Sequence, residues 1–180
     1  MILSRNRILE EISKGNIIYK LGEEKYIKDQ SIDVSLGEWI YNTKLNAWHN
    51  CGDGPITLEP GVLYLCHTDE FIGTKAGSNL LPSIKLKSTS ARKGIQHPLA
   101  GHGEVGFFNR WALEITVTTQ TQVICGDLIA QVYFTVVDGD GTEDYSISGT
   151  YQHSSVVERV MDSWKPQDLL PPPLFKNKWD

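Results

Sequence analysis

Three stretches within 28 residues gather most of the reactive side chains of this 180-residue chain: Lys87-Ser88-Thr89-Ser90-Ala91-Arg92, then Glu104, then Trp111-Ala112-Leu113-Glu114. Two cations, three hydroxyls and a run of backbone N–H groups can cradle phosphate, the arginine through a planar multidentate donor. A carboxylate on a following strand would then face the ring attached to that phosphate. Together the pieces describe one site for a phosphorylated small molecule. Taken singly, each also has an ordinary structural reading. Lys87 to Arg92 reads as a solvated turn with capping hydroxyls, and Glu114 as an outward residue of an alternating strand whose other face carries Trp111, Leu113 and Ile115.

Other chemistries find little in the sequence. His49, His67, His97, His102 and His153 lack the spacing of a zincin or finger site, and no His-x-Glu accompanies a Pro-Cys-x-x-Cys, so zinc deaminase chemistry is excluded and no resident metal is expected. A serine-hydrolase elbow and a Walker A loop are absent, and Gly101-x-Gly103 alone is too weak for a dinucleotide site. Cys51, Cys66 and Cys125 are odd in number and carry no Cys-x-x-Cys spacing, which suits reduced thiols. A formal net charge of −5 argues against polymeric nucleic acid, whose binding needs a basic face. The apolar runs are too short to span a bilayer, and Met1-Ile2-Leu3-Ser4-Arg5-Asn6-Arg7 lacks the apolar core of a secretory signal. The expectation is a soluble, cytoplasmic protein with no membrane partner.

The elements that must position the site read as mainly β. Hydrophobic residues are 40% and charged residues 22% of the chain, enough for one packed core. After a possible Ser4 cap, Ile8, Leu9 and Ile12 stand at helical spacing, which predicts a short helix over 4–13. From Ile17 onward short β-rich runs alternate with turn residues. Strands are predicted at Ile32 to Leu36, Trp39 to Tyr41, Val62 to Leu65, Ser83 to Leu86, Trp111 to Thr118, Gln122 to Cys125 and Leu128 to Val137. Glycine- and proline-containing stretches such as 52–55, 59–61, 75–79, 101–103 and 138–141 separate them. Such a succession implies a sandwich, jelly roll or barrel. Ser155 to Trp164 reads as an amphipathic helix with Val156, Val157, Val160, Met161 and Trp164 on one side. Beyond it, Lys165 to Asp180 reads as an extended proline-rich tail, laid across a neighbouring subunit or disordered. The division expected is a β domain over 1–154 and a C-terminal helix with tail over 155–180.

At the polar stretches the chain resembles the dCTP deaminase branch of the trimeric dUTPase superfamily. The signature Arg-Ser-Ser-x-Ala-Arg-x-Gly is matched by Lys87-Ser88-Thr89-Ser90-Ala91-Arg92-Lys93-Gly94, and Ala-Gly-x-x-Asp-Pro-Gly-Phe-x-Gly-x-x-x-Leu-Glu by the run from Ala100 to Glu114. In order along the chain, Gln30 to Gly37, Leu58-Glu59-Pro60-Gly61, Gly126 to Phe134 and Gly149-Thr150-Tyr151-Gln152 match further family segments. The resemblance implies a distorted jelly-roll, β-clip fold and a homotrimer with active sites between subunits. It also implies hydrolysis of dCTP to dUTP and ammonia without zinc, Mg2+ accompanying the triphosphate, and dTTP as an inhibitor.

Carried over by position, Glu114 is the catalytic carboxylate, and Ser88 and Arg92 support the water and the phosphates. Lys87, Thr89, Ser90 and Ala91 complete the phosphate stretch, Ala112 and Leu113 lie beside base and sugar, and Glu104 stands where an aspartate touches the sugar 3′-hydroxyl. In dUTP-hydrolysing relatives that aspartate activates a water. Tyr145, Tyr151 and Gln152 fall where a C-terminal segment closes over the nucleotide. The chain departs from the pattern at Lys87 for arginine, Glu104-Val105 for Asp-Pro, Thr150 for a phosphate-binding lysine and Ser154 for glutamine. Two alternatives therefore stand beside a dUTP-releasing deaminase. One is a bifunctional deaminase and diphosphatase, or a dUTPase, giving dUMP. The other is a nucleotide-binding regulatory protein without turnover.

Overall fold

The computed structural model describes residues 1–97, 100–139 and 145–171. Helix α1 (Arg5–Ser13) opens the chain as predicted and buries Ile8. The strands come in the order β1 (Ile17–Lys20), β2 (Ile32–Ser35), β3 (Trp39–Asn42), β4 (Ala47–Asn50), β5 (Ile56–Leu58), β6 (Tyr64–Thr74) and β7 (Leu80–Leu86). The five-residue helix α2 (Ser88–Arg92) leads to β8 (Ile95–Gln96), β9 (Phe108–Val117), β10 (Thr121–Val123) and β11 (Leu128–Val136), and then to helices α3 (Tyr145–Ser148) and α4 (Val157–Ser163).

Every strand pairing is antiparallel, as expected for a mainly β fold. The largest sheet runs β4-β3-β6-β9-β8, with β1 on β6; β2-β11-β7 form a second sheet and β10-β5 a short ribbon. Ile32, Val34, Leu36, Ile40, Leu113, Ile115, Val132 and Phe134 meet in the core between them. Removing this much apolar surface from water is the main force holding the sheets together.

Strands β6 and β9 shape the surface on which the polar residues stand. Along β9 the predicted alternation holds: Trp111, Leu113 and Ile115 are buried while Arg110, Ala112 and Glu114 share the half-buried opposite face. Between the pairs His67↔Ala112 and Phe71↔Arg110, three residues of β6 oppose the single Trp111, a bulge that bends the sheet. The Thr68 hydroxyl ties it, accepting from Trp111 N–H at 2.9 Å and donating to the Glu70 carbonyl at 2.8 Å.

Several elements differ from the sequence reading. The run at Val62–Leu65 extends into the eleven-residue β6, while β1, β4, β5 and β8 were not assigned as strands. Lys87 to Arg92, read as a solvated turn with capping hydroxyls, is the short helix α2 with Lys87 at its N-cap and no side-chain capping bond. Helix α4 docks on the body through Val157, Val160, Met161 and Trp164, which pack against Phe71, Phe108 and Ile18, but Val156 stays exposed. The described part of the tail is not extended. Pro166–Leu169 forms a 3-10 turn with Leu169 buried, and Asp168 caps it by accepting from Lys165 N–H at 3.0 Å. Proline suits that first position because its missing donor is not needed there. The remainder of the tail, 172–180 with Pro172 and Pro173, lies outside the described residues.

Candidate active site

The half-buried face of β9 opens on a cleft of about 790 Å3, a size suited to a small ligand. Arg110, Ala112 and Glu114 line its floor; Glu104 and Phe107 come from the loop before β9, Tyr145 from α3 and Tyr151 from the segment after it. Leu65, the cross-strand partner of Glu114, and Tyr41 beside it extend that floor across β6 and β3, and Leu63 with Trp164, Leu169 and Pro171 of the C-terminal part complete the lining. Phe107 stacks edge-on against Trp111 at 4.9 Å and Tyr145 at 5.7 Å. These rings build an aromatic wall on which a planar base can lie. Burial pushes the Tyr145 phenol above its ordinary pKa, so it stays a neutral donor at physiological pH.

Five residues singled out in the sequence therefore meet here: Glu104, Ala112, Glu114, Tyr145 and Tyr151. Others lie elsewhere. Leu113 points into the core with no exposure and can meet a ligand only through its backbone. Gln152 is buried and spent on the fold, its carbonyl accepting from Phe108 N–H at 2.7 Å and its amide donating to the Gly106 and Ser154 carbonyls at 3.3 and 3.0 Å. Thr150 opens on an adjoining groove with His153, Arg159 and Lys165, which shares Asn109, Tyr151 and Trp164 with the cleft.

The stretch from Lys87 to Arg92 is not part of the cleft of its own chain. Lys87 is paired with the buried carboxylate of Asp33, which commits one of the two cations to a link from the end of β7 across β11 to β2. Thr89 and Ser90 face a small hollow of about 130 Å3 with Lys93 and Asp127. Ser88 and Arg92 bracket the helical turn, whose first N–H groups have no intrahelical partner. Gly94, at φ +82°, closes α2 into β8. Its carbonyl accepts from Thr118 N–H at 2.9 Å, setting β8 against β9.

Two residues that the sequence reading did not assign to the site stand beside it. His97 Nε2 lies 2.9 Å from Glu114 Oε2. Arg110 lies over the Phe71 ring at 5.0 Å and the Trp164 ring at 4.6 Å, with Nη1 3.4 Å from Asp69. Its Nε has no hydrogen-bond partner among the described residues. The signal for His97 was Ile95-Gln96-His97 following the Gly94 turn, but a two-residue strand has no periodicity to read.

Residues 2–137 match the model of the dCTP deaminase-like family. The chain belongs to that family. A Clostridium beijerinckii protein described as a dUMP-forming dCTP deaminase is 32% identical over 170 residues, covering 88% of this chain and 94% of that protein. A Leptospira biflexa protein of the same description is 40% identical over 104 residues, 57% of each chain. Among solved structures, the 2′-deoxycytidine 5′-triphosphate deaminase from Agrobacterium tumefaciens superposes with a TM-score of 0.62 at 18% identity, over 82% of this chain and 52% of that one. The native EIAV dUTPase gives 0.50 at 17% identity, over 71% of this chain and 93% of that one. These neighbours bear out the dUTPase-like β fold. Helix α4 and the 3-10 turn after it lie beyond the family-matched region. All three cysteines are free, Cys51 with its thiol pushed up to about 11 by burial. No helix among the described residues is long and apolar enough to cross a membrane.

Proposed function

We propose that the protein hydrolyses dCTP to dUMP in two steps on one bound nucleotide, releasing ammonia and then pyrophosphate. The observation that carries the reading is that two carboxylates, Glu114 and Glu104, line one cleft of nucleotide size. The dUMP-forming description of the relatives supports the two-step version over release of dUTP. In the first step water adds to C4 of the cytosine while Glu114 takes one of its protons and passes it to ring N3. The hydroxyl of the adduct then gives its proton through the same carboxylate to the amino nitrogen, the C4–N bond breaks, the carbonyl forms and ammonia leaves. In the second, Glu104 draws a proton from a water that attacks the α-phosphorus, and pyrophosphate departs.

Phe107 and Tyr145 supply stacking and a phenolic donor, with Ala112 and the Leu113 backbone beside base and sugar and Tyr151 at the rim. Mg2+ enters with the nucleotide, shielding the triphosphate. Ser88 and Arg92, with Thr89, Ser90 and Ala91, supply the phosphate cradle from a second copy of the chain in a homotrimer. This accounts for their distance from the cleft of their own chain.

The test is to incubate the protein with dCTP and Mg2+ and to separate dUTP, dUMP, pyrophosphate and ammonia. Wild type gives ammonia, dUMP and pyrophosphate in equal amounts. Glu114→Gln loses ammonia release by at least about 100-fold, and Glu104→Gln accumulates dUTP. Release of dUTP alone by the wild type reduces the reading to a deaminase. Saturable nucleotide binding without ammonia favours the regulatory reading instead.

A further inference from the structure

The carboxylate that faces the cleft also has a contact at its back. The register Ile95↔Val117 and Gln96↔Thr116 lays β8 along β9, so the residue just past β8, His97, reaches the neighbourhood of Glu114. Its Nε2 lies 2.9 Å from Glu114 Oε2, with the imidazole 2% exposed and the carboxylate 22% exposed. An ionised carboxylate only accepts hydrogen bonds, so the imidazole proton in this pair sits on Nε2.

From this geometry we infer that His97 is a positioning residue for deamination, acting through Glu114, and the inference rests on the role proposed for that carboxylate. A glutamate on a strand face turns about three side-chain bonds, and only a narrow set of those orientations aims a lone pair at a water over the ring. The imidazole Nε2–H holds Oε2 and leaves Oε1 for the water. Because His97 is enclosed and stands behind the carboxylate, its removal alters the rate of the chemical step and leaves nucleotide affinity nearly untouched.

The experiment compares wild type, His97→Leu and His97→Gln, each also in a Glu114→Gln background, by steady-state kinetics with Mg2+-dCTP and by thermal denaturation. The glutamine amide places a donor near the position of Nε2. His97→Leu should lower kcat for ammonia release about 10- to 100-fold, the scale of a misplaced catalytic group. KM should stay within about 2-fold. His97→Gln should recover most of the lost rate, and in the Glu114→Gln background His97→Leu should have no further effect on kcat. An unchanged or raised kcat in a folded His97→Leu overturns the inference, as does a loss of equal size in the Glu114→Gln background. Failure of the wild type to release ammonia, or full activity in Glu114→Gln, overturns the proposed function and this inference together; the preceding outcomes overturn this one alone.

Discussion

His67 illustrates how a single side chain is conscripted by the fold. Its Nδ1 donates to the Thr68 carbonyl at 2.8 Å, its Nε2 accepts from Trp39 N–H at 3.2 Å, and the Trp164 ring packs against it, tilted by 52°, at 4.6 Å. Gly37 is required opposite, since a Cβ there would sit 2.0 Å from the His67 ring. Burial is the main reason the imidazole titrates at about 4 instead of 6.5, with the Arg110 charge adding to the effect. The fold therefore prefers neutral His67, and the stability this supplies is present above pH 6.5 and is lost as pH falls toward 4. The loss is about 3 kcal/mol. Glu70, whose carboxyl is pushed up by burial against its bonds to Ser35, contributes with the opposite sign. The readout is therefore the difference between wild type and His67→Asn in urea denaturation from pH 4 to 7. Wild type should lose more stability than the variant on acidification; parallel curves would rule this account out. In the sequence His67 stood out only among candidate metal ligands, because enclosure is not visible in residue type.

At the scale of elements, the C-terminal part is where sequence and structure diverged most. The apolar spacing in 155–164 correctly announced α4, yet proline content alone suggested an extended tail, whereas Pro166 starts a turn that carries Leu169 and Pro171 to the cleft wall. Trp164 is the hinge of that arrangement, packing on His67, Phe71 and Arg110. Trp164→Ala should cost about 2 kcal/mol of unfolding free energy, a partial share of what a fully buried tryptophan loses. It should also raise KM for the nucleotide, because the wall loses its anchor. Val156→Ser, at an exposed position of the same segment, should change stability by less than about 0.5 kcal/mol. Urea midpoints at constant slope test both. The strands missed in the sequence were short or polar, such as Ala47–Asn50, where partners across the sheet rather than side-chain alternation decide the conformation.

For the whole molecule, the separation of Ser88 and Arg92 from the cleft is the organising fact. If one chain supplies the carboxylates and its neighbour the phosphate cradle, Glu114→Gln and Arg92→Ala, each nearly inactive, should complement when co-refolded. Random assembly into trimers leaves a complete site at roughly one position in four, so about a quarter of wild-type activity should return. No recovery in mixed trimers verified by mass would place both groups in one chain's site and refute the inter-subunit arrangement.

Residue order settled a good deal before any coordinates. The alternation around Glu114 identified a strand with one polar face, and the collinear motifs identified the family, because both are local patterns that survive without knowledge of partners. What remained for the folded chain to decide was which atoms meet. Asp33 captures Lys87, Gln152 is used up by backbone groups, and His97 comes to lie behind Glu114. Each of these contacts joins residues far apart in the chain, and each depends on strand register and burial, which arise only when the sheets close on a common core.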